Sequence, residues 1–302
     1  MIQRTLQKQL RALGIRFPQL KTYSGRLGLG RLLAKATPSV QILVDRTVRI
    51  ELDLRIPMHR FLYYHVDLSA APEVLLMRQL LSAKDVVVDV GANIGYFSLV
   101  AAKYAGRVFA IEASPSTCAK LECNLALNPE LAQRIQYHCV GLTAEEGNAV
   151  LYNSLAQPDL ASLQPLTCAD TYTEMIRVTT LDALLDKERF SFLKLDVEGG
   201  EWAVLQGAAK HLEHDRPIVL VELIESFQAR AGSSCQIIVD HLQQLHYSAW
   251  LITSSLEGQP DIKIEPLDLA LLSPDAANNV LFVPDEKHDQ VFSRLNYRSI
   301  PS

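Results

Sequence analysis

The stretch "FLKLDVEGGEW", residues 192–202, closes an apolar run with Lys194, Asp196 and Glu198, followed by two glycines and Glu201. Along an extended strand alternate side chains share a face, so these three point one way while Leu193, Leu195 and Val197 pack on the other. Carboxylates on a face that opens into a pocket can take a proton from a substrate hydroxyl or ligate a divalent metal. Asp196 is the first candidate for base, and for metal ligand if an ion is used. Glu198 is the second, and Lys194 pairs with one of the two. A carboxylate just ahead of a helix also caps free amides and complements the dipole, worth about 0.3–1 kcal/mol, so punctuation competes with chemistry here.

A second constellation lies upstream. "VVVDVGANIGYF" places Asp89, Gly91, Asn93 and Gly95 between a predicted strand and a predicted helix. In a doubly wound sheet that turn sits at the carboxyl ends of the strands, where ligands bind. The dinucleotide fingerprint GxGxxG needs glycines at 91, 93 and 96, yet Asn93 and Tyr96 hold two of those places. The spacing suits another nucleotide ligand. Asp89 can accept from an amine and the loop amides can bind a carboxylate; S-adenosylmethionine presents both. "VFAIEAS" ends the next strand with Glu112, which can accept both ribose hydroxyls of either NAD or S-adenosylmethionine.

Histidine offers rival bases. His59 and His65 lie in a lead-in segment able to cover a pocket, and His138 falls inside a predicted strand. His211 and His214 come at a helix C-terminus, where imidazoles satisfy carbonyls. Glu222, ending "IVLVEL", is a further carboxylate near the sheet edge.

The elements that must position these groups are short apolar strands alternating with helical segments from residue 85 onward. They include "DVVVDV", "GYFSLVAAKYA", "RVFAIEA", "PSTCAKLECNLALN" and "IQYHCVGL". After a β-leaning section (149–180) come "FSFLKLDV", the helix "EWAVLQGAAKHL" with Trp202, Leu205, Ala209 and Leu212 on its buried face, and "PIVLVEL". "SCQIIVDHLQQL", "YSAWLIT" and a last strand "NNVLFVP" follow. Repeated units of this kind predict an α/β fold with a mainly parallel sheet and helices on both faces. "VQILVDRTVRIELDLRI" alternates as a β-hairpin ahead of it.

At 302 residues, 48% hydrophobic and 21% charged, the chain has ordinary globular composition. A net charge of −5 weighs against nucleic acid as a partner. No acidic residue precedes Asp45, whereas Arg4, Lys8, Arg11, Arg16, Lys21, Arg26, Arg31 and Lys35 are basic. Residues 1–13 set Ile2, Leu6, Leu10 and Leu13 on one helical face, a pattern of a flanking helix that can also touch an anionic membrane peripherally. No run reaches a membrane span's length. Five scattered cysteines without CxxC spacing predict reduced thiols and a cytoplasmic protein.

"VVVDVGANIGYFSLVAAKYAGRVFAIEASPSTCAKLECNLALN", "VTTLDALLDKERFSFLKLDVEGGEWAVLQGAAKHL" and "RPIVLVEL" together resemble the FkbM-type S-adenosylmethionine-dependent methyltransferases, over about residues 48–252 and on to "NNVLFVP". The resemblance implies a class I methyltransferase, Rossmann-like fold: a seven-stranded sheet with its last strand antiparallel, here preceded by an N-terminal helical and β extension. It implies S-adenosylmethionine as cofactor and O-methylation of a hydroxyl on a small molecule or glycan. By position it gives the methionine end to Asp89, Gly91, Ala92, Asn93 and Gly95, the ribose to Glu112 beside Ala113, and the adenine to Gly141 through Thr143. Ala113 stands where the family often has proline, and "HVDLSAAPEV" replaces its usual Tyr-Glu, leaving Glu73 and Asp67 without an inherited role. The expected division is a basic extension over 1–47 and one domain over 48–302, comprising a β lead-in (48–84), a cofactor-binding core (85–252) and C-terminal strands (253–302). An NAD-linked or non-catalytic nucleotide-binding protein is the alternative. No Tyr-x-x-x-Lys relay supports the first, and no (N/D)PP(Y/F) loop or Pro-Cys pair points to a nucleic-acid methylase.

Overall fold

A computed structural model describes residue 35 and residues 38–65, 68, 71–155, 161–166, 170–254 and 262–295. The amphipathic helix expected over residues 1–13, with most of the basic extension, lies outside the described residues, as does the side chain of His65. The chain opens with the expected hairpin, β1 (Ser39–Val44) against β2 (Val48–Asp53), antiparallel. The boundary expected after residue 47 therefore falls in its turn, where Asp45 and Arg46 have positive φ. Val44, Val48, Ile50 and Leu52 are fully buried, so the hairpin belongs to the main core.

Two helices that the alternating pattern did not announce follow, α1 (Pro57–His65) and α2 (Pro72–Leu80). The repeating core then runs β3 (Val86–Val90), α3 (Tyr96–Tyr104), β4 (Arg107–Glu112), α4 (Pro115–Ala126), α5 (Pro129–Ala132) and β5 (Ile135–Cys139). A small separate sheet comes next, formed by β6 (Gly141–Leu142), β7 (Gly147–Ser154), β8 (Ala161–Ser162) and β9 (Thr171–Thr179). After α6 (Leu181–Leu184) the core resumes with β10 (Phe192–Leu195), α7 (Glu201–Gln206), α8 (Ala209–His214), β11 (Ile218–Leu223), α9 (Glu225–Arg230) and α10 (Cys235–Gln244). It ends with β12 (Tyr247–Ser254), β13 (Ile262–Pro266), β14 (Asn278–Pro284) and α11 (His288–Arg294).

The main sheet has the order β13-β12-β14-β11-β10-β3-β4-β5. Strands β3, β4, β5, β10 and β11 are parallel, and β14 runs antiparallel between β11 and β12. This is the expected class I methyltransferase arrangement with one correction: the sheet has 8 strands, because β13 adds an antiparallel edge to β12.

Alternation along the strands splits the interior in two. Val87, Phe192, Leu220 and Leu281 face a core shared with the hairpin, α2, α3 and α11. Val88, Leu193, Val219 and Phe282 face a second core under α7, α8 and α10. The single helix expected after the acids is broken at Gly207, where a Cβ would lie 2.3 Å from the Thr143 carbonyl oxygen. Leu205 and Leu212 are buried as expected, but Ala209 is exposed and Ala208 takes its place in the core.

One expectation about the thiols is overturned. Cys118 in the first turns of α4 is disulfide-bonded to Cys139 at the end of β5, with 21 residues of separation. The partners meet only once the β4–α4–β5 unit has folded, which no spacing rule anticipates. Among the described residues Cys123 and Cys235 are free thiols. No described helix is long and apolar enough to cross a membrane.

Candidate active site

The carboxyl ends of β3, β4 and β10 converge on an open cleft. Gly91 and Asn93 from the first turn, Glu112 and Ala113 at the end of β4, and Asp196 and Glu198 just past β10 form its wall. Val140, Gly141 and Leu142 bound it at the far end, with Leu151 and Ser162 of the small sheet.

The glycine turn folds tightly for reasons visible in its hydrogen bonds. Gly91 N–H and Ala92 N–H both donate to Ile111 O, at 2.9 and 3.0 Å, which ties the loop to β4. Asn93 N–H donates to Glu112 Oε2 at 2.9 Å, Ile94 N–H to Asn93 Oδ1 at 2.8 Å, and Gly95 N–H to Ala92 O at 2.9 Å. The loop amides expected to receive a ligand carboxylate thus have partners within the protein. Gly91 has φ +79° and packs so closely on β10 that a Cβ would lie 1.8 Å from the Asp196 carbonyl oxygen. Ala92 is buried behind the turn and Gly95 begins α3; neither forms the cleft wall.

Glu112 is buried, with Oε1 accepting from Ser114 N–H at 2.9 Å and Oε2 from Asn93. Burial pushes its carboxyl above the ordinary range, against those amide bonds. Each oxygen keeps a second lone pair for a ligand hydroxyl. Thr143, expected beside the adenine, pairs its N–H with Thr179 O and turns away, whereas Gly141 and Leu142 do line the cleft.

Asp89 is also placed differently from expectation. It lies fully buried in β3, and its Oδ2 accepts the Ser98 hydroxyl at 2.5 Å, anchoring α3. Its Oδ1 has no hydrogen-bond partner and sits 3.9 Å from Lys194 Nζ. Burial raises its carboxyl, with Lys194 opposing.

Lys194 pairs with Asp89 in the sheet register, so their side chains share one face. Its ammonium donates to Asp196 Oδ2 at 2.9 Å, so the predicted pairing is present. Burial works against its charge, but Asp196 and Asp89 more than offset that and hold the ammonium above its usual range. Phe97 lies beneath it, 5.2 Å from Nζ to ring centroid. Asp196 keeps a 33% exposed side chain at the cleft wall while Lys194 is only 10% exposed, so the carboxylate is presented and the ammonium is hidden behind it.

The expectation that Asp196 and Glu198 share a strand face fails beyond Leu195. β10 ends there, and Glu198 and Gly199 adopt positive φ, 57° and 104°, carrying the chain into a turn. Glu201 folds back over that turn, accepting Val197 N–H at 2.9 Å and Gly199 N–H at 3.1 Å, with Gln228 also donating to it. Glu201 is the punctuation residue. Glu198 still lines the cleft, and burial, then repulsion from Asp196 and Glu201, pushes its carboxyl up to about 8.

Two further carboxylates stand beside the site: Glu222, expected near the sheet edge, and Glu73, which had no expected role. Glu222 on β11 interacts with Asp196, Lys194 and Glu198, and burial followed by Asp196 raises it to about 9. Glu73 from α2 accepts Asn279 Nδ2–H at 2.5 Å and feels Lys194 and Asp196. His59 and His211 have other partners: His59 Nδ1 accepts Asp53 N–H at 3.0 Å, and His211 Nδ1 meets Asp215 Oδ2 at 2.8 Å. Among the described residues no three His, Cys, Asp or Glu are grouped to hold a metal ion, so the conditional metal role of Asp196 gains no co-ligands.

No curated protein matches the chain. Among solved structures, methyltransferase FkbM from Methylobacillus flagellatus KT is similar at 19% identity and TM-score 0.46, over 74% of this chain and 54% of its own. This chain spans only about half that protein's length. Precorrin-6y C5,15-methyltransferase from Geobacter metallireducens GS-15 is similar at 11% identity and TM-score 0.42, over 72% of this chain and 89% of its own. Ribosomal protein L11 methylase from Lactobacillus delbrueckii subsp. bulgaricus stands at 15% and 0.41, over 70% and 75%. A family model described as methyltransferase FkbM domain matches residues 89–249, more than half of the chain and all the acids of the cleft wall, and the chain belongs to that family.

Proposed function

We propose that this chain is an S-adenosylmethionine-dependent methyltransferase acting on a hydroxyl oxygen of a sugar, glycolipid or secondary metabolite. The reading rests on family membership and, above all, on one observation: Asp196 is presented at the cleft wall with Lys194 fixing its carboxylate from behind. The residues suit the cofactor. An acid-rich wall, with Asp89 Oδ1 buried behind it and lacking a donor, favours a ligand carrying positive charge. S-adenosylmethionine carries two such charges, an ammonium and a sulfonium. Glu112 would hold the ribose, Gly141 and Leu142 would flank the adenine, and Gly91 lets the backbone come close without a Cβ.

When bound, the cofactor supplies an electrophilic methyl carbon whose departure leaves a neutral thioether. The protein's main task is then to align the acceptor oxygen with that carbon. Asp196 accepts the hydroxyl proton as the oxygen–carbon bond forms, and Lys194 balances the carboxylate beforehand. Calorimetry with S-adenosylmethionine against NAD, followed by transfer of a labelled methyl group to a panel of polyols and phenols, tests this. Binding of NAD alone, or methylation confined to amines, would overturn it.

A further inference from the structure

We propose that Glu222 is a positioning residue for Asp196: protonated, it donates its carboxyl proton to the Asp196 carboxylate and, with Lys194, clamps that carboxylate toward the cleft. The proposal rests on the methyltransferase reading above for the meaning of the clamp, but not for its existence.

Sheet register supplies the geometry. In the parallel pair of β10 and β11, Lys194 stands opposite Leu220 and Leu195 opposite Val221, so the next pair in line is Asp196 and Glu222. Asp196 N–H continues the ladder to Val90 O at 3.1 Å, so the chain is still extended there. Lys194, Asp196, Leu220 and Glu222 consequently fall on one face, and the Lys194–Asp196 bond of 2.9 Å shows that the side chains converge. On the other side of β11, Glu222 is opposite Asn279 of β14, and the Asn279 amide is turned to Glu73. Glu222 therefore meets Asp196 and Lys194 from β10, Glu198 from the following turn and the Asn279–Glu73 pair from β14 and α2.

Two neighbouring carboxyls beside a single ammonium cannot both hold a full charge cheaply, and one keeps its proton. Asp196 has the direct lysine contact at 2.9 Å, while Glu222 stands next to it in the register, and burial followed by Asp196 pushes its carboxyl up to about 9. The proton stays on Glu222. One side of Asp196 is then held by an ammonium and another by a carboxylic acid, leaving a lone pair for the acceptor proton.

Two measurements on the full chain test the clamp. Carbon-13 NMR of labelled glutamate carboxyls, with Glu222 assigned by its loss in E222Q, should show that carboxyl protonated at pH 7. D196N should lower its midpoint by about a factor of ten in proton affinity, the worth of one charge-assisted hydrogen bond. An ionised Glu222 at pH 7, or a midpoint indifferent to D196N, overturns the proposal. The second measurement compares S-adenosylhomocysteine with its analogue bearing an amine in the methyl's place, which an aimed Asp196 carboxylate should bind more tightly. E222A should erode that preference about tenfold, E222Q should retain most of it, and S-adenosylhomocysteine affinity itself should hold. An undiminished preference in E222A overturns the clamp while leaving the methyltransferase reading intact. Failure of wild type to bind S-adenosylhomocysteine sinks that reading instead, and the NMR result alone then judges the clamp.

Discussion

Gly91→Ala is the sharpest perturbation of the cleft. An L-residue at φ +79° costs about 1–2 kcal/mol before any contact is considered. The new methyl would also lie 1.8 Å from Asp196 O and 2.8 Å from its carbonyl carbon, both backbone atoms that cannot rotate aside. Relieving such overlap by shifting a packed strand costs about 1–3 kcal/mol more. The variant should therefore lose about 2–5 kcal/mol in urea or guanidinium unfolding. The displaced turn also carries the Asn93 amide that holds Glu112, so cofactor affinity measured by calorimetry should fall by about tenfold or more. Gly147→Ala is the control, because a Cβ there meets nothing within 4 Å. A Gly91→Ala protein within about 0.5 kcal/mol of wild type, with unchanged cofactor affinity, would refute the close approach of the glycine turn to β10.

Asp196→Asn should lower methyl transfer by about 10²–10⁴-fold while changing cofactor affinity little, and an undiminished rate would return Asp196 to a structural role. Opening the Cys118–Cys139 bridge with a reductant, or by the double serine variant, should cost about 3 kcal/mol for a loop of 21 residues, read as a lower unfolding midpoint. Stability should fall as pH rises from about 5 to 8. Glu198 titrates at about 8 when folded against an ordinary 4.5, so between those values the unfolded chain binds fewer protons and gains. That group's effect is at most about 5 kcal/mol, and Glu198→Gln should flatten the slope. Asp45, Asp53 and Glu286 are held low and act in the opposite sense, but only below about pH 5.

The strands and the glycine turn after β3 were legible because short-range rules suffice there. "DVVVDV" and "RVFAIEA" are apolar runs too short for helices, and glycines with an acid at their ends mark ligand turns. β3 and β4 lie where those runs stand, as β10 and β11 do for "FSFLKLDV" and "PIVLVEL". The acceptor side was harder. Period-two alternation placed Lys194 and Asp196 on one face correctly, yet it could not show that the strand stops at Leu195 and that Glu198 turns off. Glu222 and Glu73 come from elements remote in sequence, and only the lateral order of the strands brings them to Asp196. Glu201 illustrates the same limit: its helix-start position was readable, but its bond with Gln228 had no local signal.

The seating of the N-terminal hairpin carries one more consequence. Arg49 N–H and O both bond the Asn128 side chain, and Glu51 N–H bonds Asn124 Oδ1 at 2.8 Å. Asn124 lies in the last turn of α4 and Asn128 just beyond its end, where the Asn128 amide also donates to Asn124 O, so the two side chains meet alternate positions of β2. The end of α4 thus acts as a ruler laid along β2. Sliding the hairpin by one residue would break all three bonds together and turn Val48, Ile50 and Leu52 out of the core, so a single register is selected twice over, by a polar gauge and by an apolar one.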